Sequence, residues 1–110
     1  VRGVKNGPHR AYHITGELKI EGGFKDDKFD GDWRYYDDRG VLVGEGSFDR
    51  GTGEVVFYDK RGLPERKTRY VDNKKDGKEE FYNTSGDVYK EIVFKQDRIV
   101  SENTDSTKVR

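Results

Sequence analysis

The sequence predicts an all-β protein in which tandem β-hairpins form one elongated antiparallel meander sheet. The main observation is an internal repeat of 22 to 24 residues, whose four copies begin at Gly7, Gly31, Gly53 and Gly77. Each copy has a tyrosine five residues after its first glycine and another aromatic residue seventeen after it. Side chains that return in step at this period are typical of repeat proteins, in which each unit buries its apolar face against its neighbours.

The first half of each copy predicts a strand and a tight turn. Residues 31–36 (GDWRYY) are the clearest strand, and the turn after it has the form Tyr, Asp or Asn, two variable residues and Gly. An Asp or Asn side chain in this place bonds to the backbone two residues on, and the closing glycine takes a positive φ next to a bulge. Because His13 replaces the Asp or Asn in the first copy, we expect that turn to be the least rigid. The other copies have Asp37, Asp59 and Asn83, closed by Gly40, Gly62 and Gly86.

The second half of each copy predicts the return strand of the hairpin. In residues 17–24 the side chains of Leu18, Ile20, Gly22 and Phe24 alternate with more polar ones, which indicates a strand with one buried face. The later copies place Leu42, Pro64 and Val88 in register with Leu18. The third copy matches this register only weakly, so its return strand is expected to begin after Pro64.

Short polar connections join the hairpins at residues 25–30, 49–52 and 71–76, so neighbouring strands are expected to be antiparallel. The prediction is a meander of about eight strands in a single domain at residues 1–100. A polar tail follows at residues 101–110, which is expected to lack regular structure or to be the junction to a removed segment. The repeats are expected at about residues 7–30, 31–52, 53–76 and 77–100.

Bare glycines are expected to help hold this open sheet together. Trp33 and Tyr35 share one face of their strand, and the facing strand carries Gly44 and Gly46 at alternate positions. Large rings that lie over glycine compensate for the missing side chains.

Composition excludes several classes of function. Lys plus Arg equals Asp plus Glu at 22 each. This balance argues against a nucleic-acid partner, and it also disfavours an anionic membrane as partner. The absence of cysteine excludes disulfides, zinc thiolate sites and thiol nucleophiles. No apolar run has the length of a signal peptide or a membrane helix, so the chain as given is expected to be soluble. It opens within a repeat and contains no methionine, so we expect a trimmed N-terminus, compatible with a cytoplasmic or an exported protein.

These residues resemble a known family. The unit G-x-W-x-Y-Y-x-x-x-G, followed by an aromatic residue eight positions after its second glycine, is similar to the bacterial MORN-repeat variant, which includes YwqK-type antitoxins. The resemblance covers residues 7–94 and implies hairpins in an elongated, curved sheet with an aromatic core stripe. It implies no catalytic residues.

Possible metal sites have simpler structural interpretations. Residues 26–32 (DDKFDGD) resemble part of a calcium loop, but Lys28 occupies the third ligand position and Asp37 the twelfth, where a bidentate Glu is needed. His9 and His13 have no third ligand in view. We therefore predict no metal, no cofactor and, since no nucleophile stands beside a base, no enzyme activity.

The sequence favours a non-enzymatic module for protein–protein interaction or scaffolding. The alternative is an antitoxin or immunity protein that neutralises a toxin by binding it. Aromatic residues anchor interfaces well, so the candidate partner-binding residues are those that face solvent among Trp33, Tyr35, Phe57 and Phe81, the other interpretation being a core stripe. Open edge strands also predict an edge-to-edge homodimer. One basic cluster suits a solvated face, an acidic partner or, as the family resemblance implies, phosphoinositide headgroups. It consists of Arg66, Lys67, Arg69, Lys74, Lys75 and Lys78.

Overall fold

A computed structural model describes residues 3–109, which form a single antiparallel sheet of ten strands and no α-helix. The strands run side by side in the order β1-β2-β4-β5-β6-β7-β8-β9-β10, and the short β3 pairs with β2. The predicted all-β meander is confirmed. Its strands are β1 (Gly7–Tyr12), β2 (Leu18–Lys25), β3 (Lys28–Phe29), β4 (Gly31–Tyr36), β5 (Leu42–Asp49), β6 (Thr52–Tyr58), β7 (Pro64–Val71), β8 (Lys74–Tyr82), β9 (Val88–Lys95) and β10 (Arg98–Thr104).

The structure has more strands than the sequence predicts. β3 lies inside the first expected connection, and β10 extends into the expected tail, so the prediction of no regular structure after residue 100 is wrong. β10 forms because its backbone pairs antiparallel with β9, which needs no apolar pattern. A 3-10 helix at Ser106–Lys108 follows it. Residues 1 and 2 of the predicted domain, and residue 110 of the predicted tail, lie outside the described residues.

The hairpin turns have the predicted chemistry. The Oδ1 atom of Asp37 accepts hydrogen bonds from the backbone N–H groups of Arg39 (2.9 Å) and Val41 (3.0 Å). Asp59 and Asn83 do the same in their own turns. Gly40 closes its turn with φ of 83°. The turn at His13 keeps the backbone hydrogen bonds, but its Nε2 atom lies 2.8 Å from the carbonyl oxygen of Tyr36 instead.

A β-bulge beside each hairpin turn interrupts the predicted alternation. The pairing of β6 with β7 shifts between Phe57 and Tyr58, and the other hairpins shift at the same place. As a result Glu65 lines a groove with Phe57, whereas Pro64 lines a groove with Val56 on the opposite face. The expectation that Pro64 shares a face with the buried residues of its strand is therefore wrong, and the same shift affects Leu18, Leu42 and Val88. The expectation that this return strand begins after Pro64 is also wrong, because β7 begins at Pro64.

The connections between hairpins are shorter than predicted. Each turns through two residues with positive φ, as at Asp72 (52°) and Asn73 (69°). The backbone N–H of the second residue donates to a carbonyl oxygen 22 residues earlier, which stacks each connecting turn on the one before it. These bonds form the turn ladder and join Asp27 to Lys5 (2.9 Å), Gly51 to Phe29 (2.6 Å), Asn73 to Gly51 (3.0 Å) and Asp97 to Lys75 (2.8 Å).

The core lies on one face of the sheet, near the connecting turns. Trp33, Phe48 and Val55 form its main buried cluster, and Ile92 and Phe94 are also buried. The rings of Phe24 and Phe29 pack edge-on against Trp33, with centroids 5.3 and 5.1 Å away. We call this side of the sheet the core face.

The expected glycine contacts exist, but with different rings. Trp33 covers Gly22 in the preceding strand rather than Gly46, and Gly44 is covered by Phe57, whose Cδ1 would stand 2.6 Å from an added Cβ. Each ring leans over the strand that precedes its own in the sheet, β2 for Trp33 and β5 for Phe57. Alternation in the sequence predicts the face of a side chain but not which neighbouring strand it leans over.

Candidate functional site

A row of side chains crosses the core face from β4 to β9. In the strand register Tyr35 pairs with Gly44, Gly44 with Phe57, Phe57 with Arg66, Arg66 with Phe81 and Phe81 with Lys90. We call the non-glycine members of this row, together with Tyr89, the open strip. All of them are half-buried, and no second layer covers them within residues 3–109.

Aromatic rings and cations alternate along the open strip. The Tyr35 and Phe57 rings are 5.4 Å apart, and the Arg66 guanidinium lies 4.5 Å from the Phe57 centroid. Further along, Lys90 Nζ is 5.4 Å from the Phe81 centroid, and Tyr89 lies 6.5 Å from Phe81. The strip therefore offers flat apolar surface with positive charge above it.

The structure separates the four candidate aromatic residues into two groups. Trp33 is only 5% exposed and is part of the core, so it does not face solvent. Tyr35, Phe57 and Phe81 are half-buried members of the open strip. The register brings these three together although they come from three different repeats.

A groove of about 420 Å³ follows the middle of the open strip. Arg66 lies within it, and its walls include Val43, Glu65, Phe81 and Tyr89. A second groove, of about 430 Å³, lies on the opposite face between two hairpin turns and includes Val56, Leu63, Pro64 and Tyr82.

Most charges near the open strip are already paired. The buried carboxylate of Glu79 accepts a hydrogen bond from Thr68 Oγ1 (2.6 Å) and lies 3.3 Å from Lys75 Nζ. Lys90 Nζ lies 3.3 Å from Glu102. By contrast, Arg66 has no carboxylate within salt-bridge distance among residues 3–109.

Burial also perturbs the tyrosines of this face. Loss of solvent, and secondarily the nearby Tyr70, raises the pKa of Tyr35 to about 12. Burial likewise raises the pKa of Tyr70, with a further contribution from the Glu79 carboxylate. Both hydroxyls are therefore neutral donors at ordinary pH.

Two of the acidic residues at 26–32, Asp27 and Asp30, stabilise backbone turns. Asp27 Oδ1 accepts from the N–H of Lys5 (2.6 Å), and Asp30 Oδ1 accepts from the N–H of Arg50 (3.0 Å). His9 packs against the Trp33 ring, with centroids 5.7 Å apart. Within the described residues no group of three or more acidic or histidine side chains is placed to hold a metal ion.

The basic cluster is divided between the faces of the sheet. Arg66 lies in the open strip. Lys67 follows Arg66 along β7 and Arg69 precedes Tyr70, and both Lys67 and Arg69 line grooves on the opposite face. Lys78 lies 3.5 Å from Glu91. The cluster is concentrated along the chain but not on one surface.

The sequence pattern did not identify Lys90 and Tyr89 as members of the open strip. It placed Arg66 in the basic cluster rather than with the aromatic residues of the strip. The signal for the two cations was their repeat position, since Arg66 and Lys90 both stand thirteen residues after the first glycine of their copies. Tyr89 enters the strip through the bulge beside Tyr82, which the repeat pattern does not show.

Comparison with known protein families supports the repeat interpretation. Residues 29–50 and 75–96 match the family model described as MORN repeat variant. Each matched segment holds one hairpin, β4–β5 or β8–β9. Repeats of this kind are generally non-catalytic modules that bind proteins or membranes. A search of curated proteins gives no significant match. Within the described part of the chain, no helix has the length and apolar character needed to cross a bilayer.

Proposed function

We propose, with the match of two segments to the MORN repeat variant as the premise, that this chain is a non-enzymatic module for protein–protein interaction. The open strip is its contact surface. The observation that carries the proposal is the half-exposed row of Tyr35, Phe57 and Phe81 across one face of the sheet. Aromatic and arginine side chains are the residue types that most often dominate binding energy at protein interfaces.

The dimensions of the sheet suit such a role. Its longer extents are 51 and 33 Å, which give a face larger than the roughly 800 Å² per partner that a stable interface buries. The row from β4 to β9 crosses five strand spacings, a length of about 24 Å. A single-layer sheet can therefore present a broad contact surface without a second domain.

The distribution of charge favours a protein over an anionic membrane. A membrane surface attracts clustered cations. Here the basic cluster is divided between two faces, and Lys75, Lys78 and Lys90 lie beside carboxylates. Scaffolding and toxin neutralisation are narrower forms of the same proposal, and they differ in the identity of the partner.

Affinity capture from a lysate of the source organism tests the proposal with a matched pair of variants. Phe81 lies on the core face, whereas its neighbour Tyr82 lies on the opposite face. We expect the wild type and Tyr82→Ala to retain the same partner, and Phe81→Ala to lose it, while melting curves show that both variants are folded. Retention by Phe81→Ala, or loss only in Tyr82→Ala, would overturn the proposal. If the captured protein is a toxin, inhibition of its activity by this chain would establish the antitoxin form.

A further inference from the structure

Arg66 differs from Lys75 and Lys90, two lysines that also lie over aromatic rings of the sheet. Lys75 lies beside Glu79 and Lys90 beside Glu102, at 3.3 Å in each case. Arg66 has no such partner in residues 3–109, although it is half-buried. A partly desolvated cation without a counter-charge favours binding of an anion, because the attraction is less screened there than in open water.

The surroundings of Arg66 hold its guanidinium in place. The group lies 4.5 Å from the Phe57 centroid, and Phe81 is its cross-strand neighbour on the other side. A guanidinium over an aromatic ring keeps its planar set of N–H donors available at the edge. The side chain is thus arranged before any partner binds, which lowers the entropic cost of binding.

The adjacent groove shows what else must fit. Its walls include the apolar surfaces of Val43, Phe81 and Tyr89. Glu65 also lines it, but is exposed and makes no ion pair with Arg66. A ligand here therefore combines a carboxylate with flanking apolar groups, and it avoids a second negative charge beside Glu65.

We propose that Arg66 is the recognition point for a glutamate or aspartate side chain in an extended segment of the partner protein. In an extended chain, side chains on the same side recur at about 6.8 Å, and neighbouring strands of the sheet are about 4.8 Å apart. Phe57, Arg66 and Phe81 lie on the neighbouring strands β6, β7 and β8. When the segment runs across these strands with its acid at Arg66, the residues two places before and after the acid reach Phe57 and Phe81. This inference rests on the proposed function, because it specifies the chemistry of the partner at the same surface.

Synthetic nonapeptides test this recognition directly. Both peptides alternate threonine and valine, carry phenylalanine two places either side of the centre, and differ only in a central glutamate or glutamine. Titration calorimetry measures their affinities. Because a hydrogen bond to a charged group contributes about 1.5 to 3 kcal/mol, we expect the wild type to prefer the glutamate peptide at least about tenfold.

Three variants separate Arg66 from general effects of charge. Arg66→Gln is expected to reduce the preference to less than about twofold, and Arg66→Lys to leave an intermediate value, since lysine keeps the charge but loses the planar donors. Arg69→Gln makes the same change on the opposite face of β7 and should keep the full preference. Melting curves check that each variant is folded.

The outcomes distinguish this inference from the proposed function. Equal affinity of the wild type for both peptides, no measurable binding of either, or an unchanged preference in Arg66→Gln would overturn the role of Arg66. If Phe81→Ala still abolishes capture of the partner while the peptides are not distinguished, the contact surface stands and the acidic specificity fails.

Discussion

The indole ring of Trp33 lies on the backbone of Gly22 in the neighbouring strand, where an added Cβ would overlap its six-membered ring. Gly22 is therefore a site of close approach, and its φ is not in the left-handed region. The indole Nε1 is buried and has no hydrogen-bond partner in the described residues. Van der Waals packing rather than a polar contact holds the ring in place.

We predict that Gly22→Ala destabilises the protein, because the methyl group must displace the Trp33 ring. Overpacking of this kind costs about 1 to 3 kcal/mol, which urea unfolding measures. Gly23→Ala is the control, since its Cβ would meet no aromatic ring but the carbonyl oxygens of Asp30 at 3.2 Å and Gly7 at 3.7 Å. An equal loss in both variants would contradict the contact with Trp33.

Asn73 joins three connecting turns, and we predict that its amide side chain stabilises the turn ladder. Its Oδ1 accepts from the N–H of Phe29 (2.9 Å), and its Nδ2 donates to the carbonyl of Asp27 (2.9 Å). Asn73→Gly keeps the positive φ but removes both bonds, so we expect a loss of about 1 to 3 kcal/mol in the free energy of unfolding. Arg50→Gly changes a residue of similar φ and should cost nothing. Equal stability of the two variants would show that the bridge is unimportant.

Acid should weaken the two hairpin turns that are capped by aspartate. Hydrogen bonds from the N–H groups of Val41 and Leu63 are the largest causes that hold the pKa values of Asp37 and Asp59 below their usual range. A lowered folded-state pKa contributes stability that is present above the unfolded pKa of about 3.9 and is lost as the pH falls through the folded value.

Asn83 occupies the same turn position as Asp37 and Asp59 in another copy of the repeat. Its amide accepts the same backbone hydrogen bonds but does not titrate, so asparagine is the substitution for testing acid sensitivity. The double variant Asp37→Asn, Asp59→Asn should lose less stability between pH 6 and pH 3 than the wild type, as followed by urea unfolding. Asp38→Asn is the control and should follow the wild type. A double variant as acid-sensitive as the wild type would refute the assignment.

The β10 edge is predicted to pair with the same strand of a second copy. All seven of its residues are exposed. The N–H of Asp105 donates to Tyr89 (2.7 Å), so by alternation Glu102 and Thr104 direct their N–H groups away from β9. Light scattering should show a mass that rises with concentration. Thr104→Pro, which removes an outward donor, should abolish the rise, and Thr104→Ala should keep it. A wild type that is monomeric at millimolar concentration would contradict this pairing.

Local chemistry explains why so much of the fold could be predicted. The cap at Asp37 and the positive φ of Gly40 depend on residues within one turn, so their sequence pattern is sufficient. The bulge that turns Pro64 to the other face depends on how two strands align, and β10 depends on the open backbone of β9. Neither leaves a repeat signature in the residues themselves.

The candidate surface was predictable only in part, for a related reason. Tyr35, Phe57 and Phe81 occupy one repeat position, so the repeat pattern identifies them as a group. Arg66 appeared to belong to a basic cluster because its neighbours along the chain are basic, whereas its true neighbours lie on β6 and β8. Charge read along a strand merges two faces that the fold separates.

The turn ladder has a consequence for how the molecule opens. Each connecting turn is bonded to the turn one repeat away, and Asn73 reaches back a further repeat, so the middle of the array is tied on both sides and the ends on one. In heavy water the amide protons of β1 and β10 should therefore exchange for deuterium first, and those of β5 and β6 last. Fraying from the ends would leave the central hairpins protected until the whole sheet unfolds.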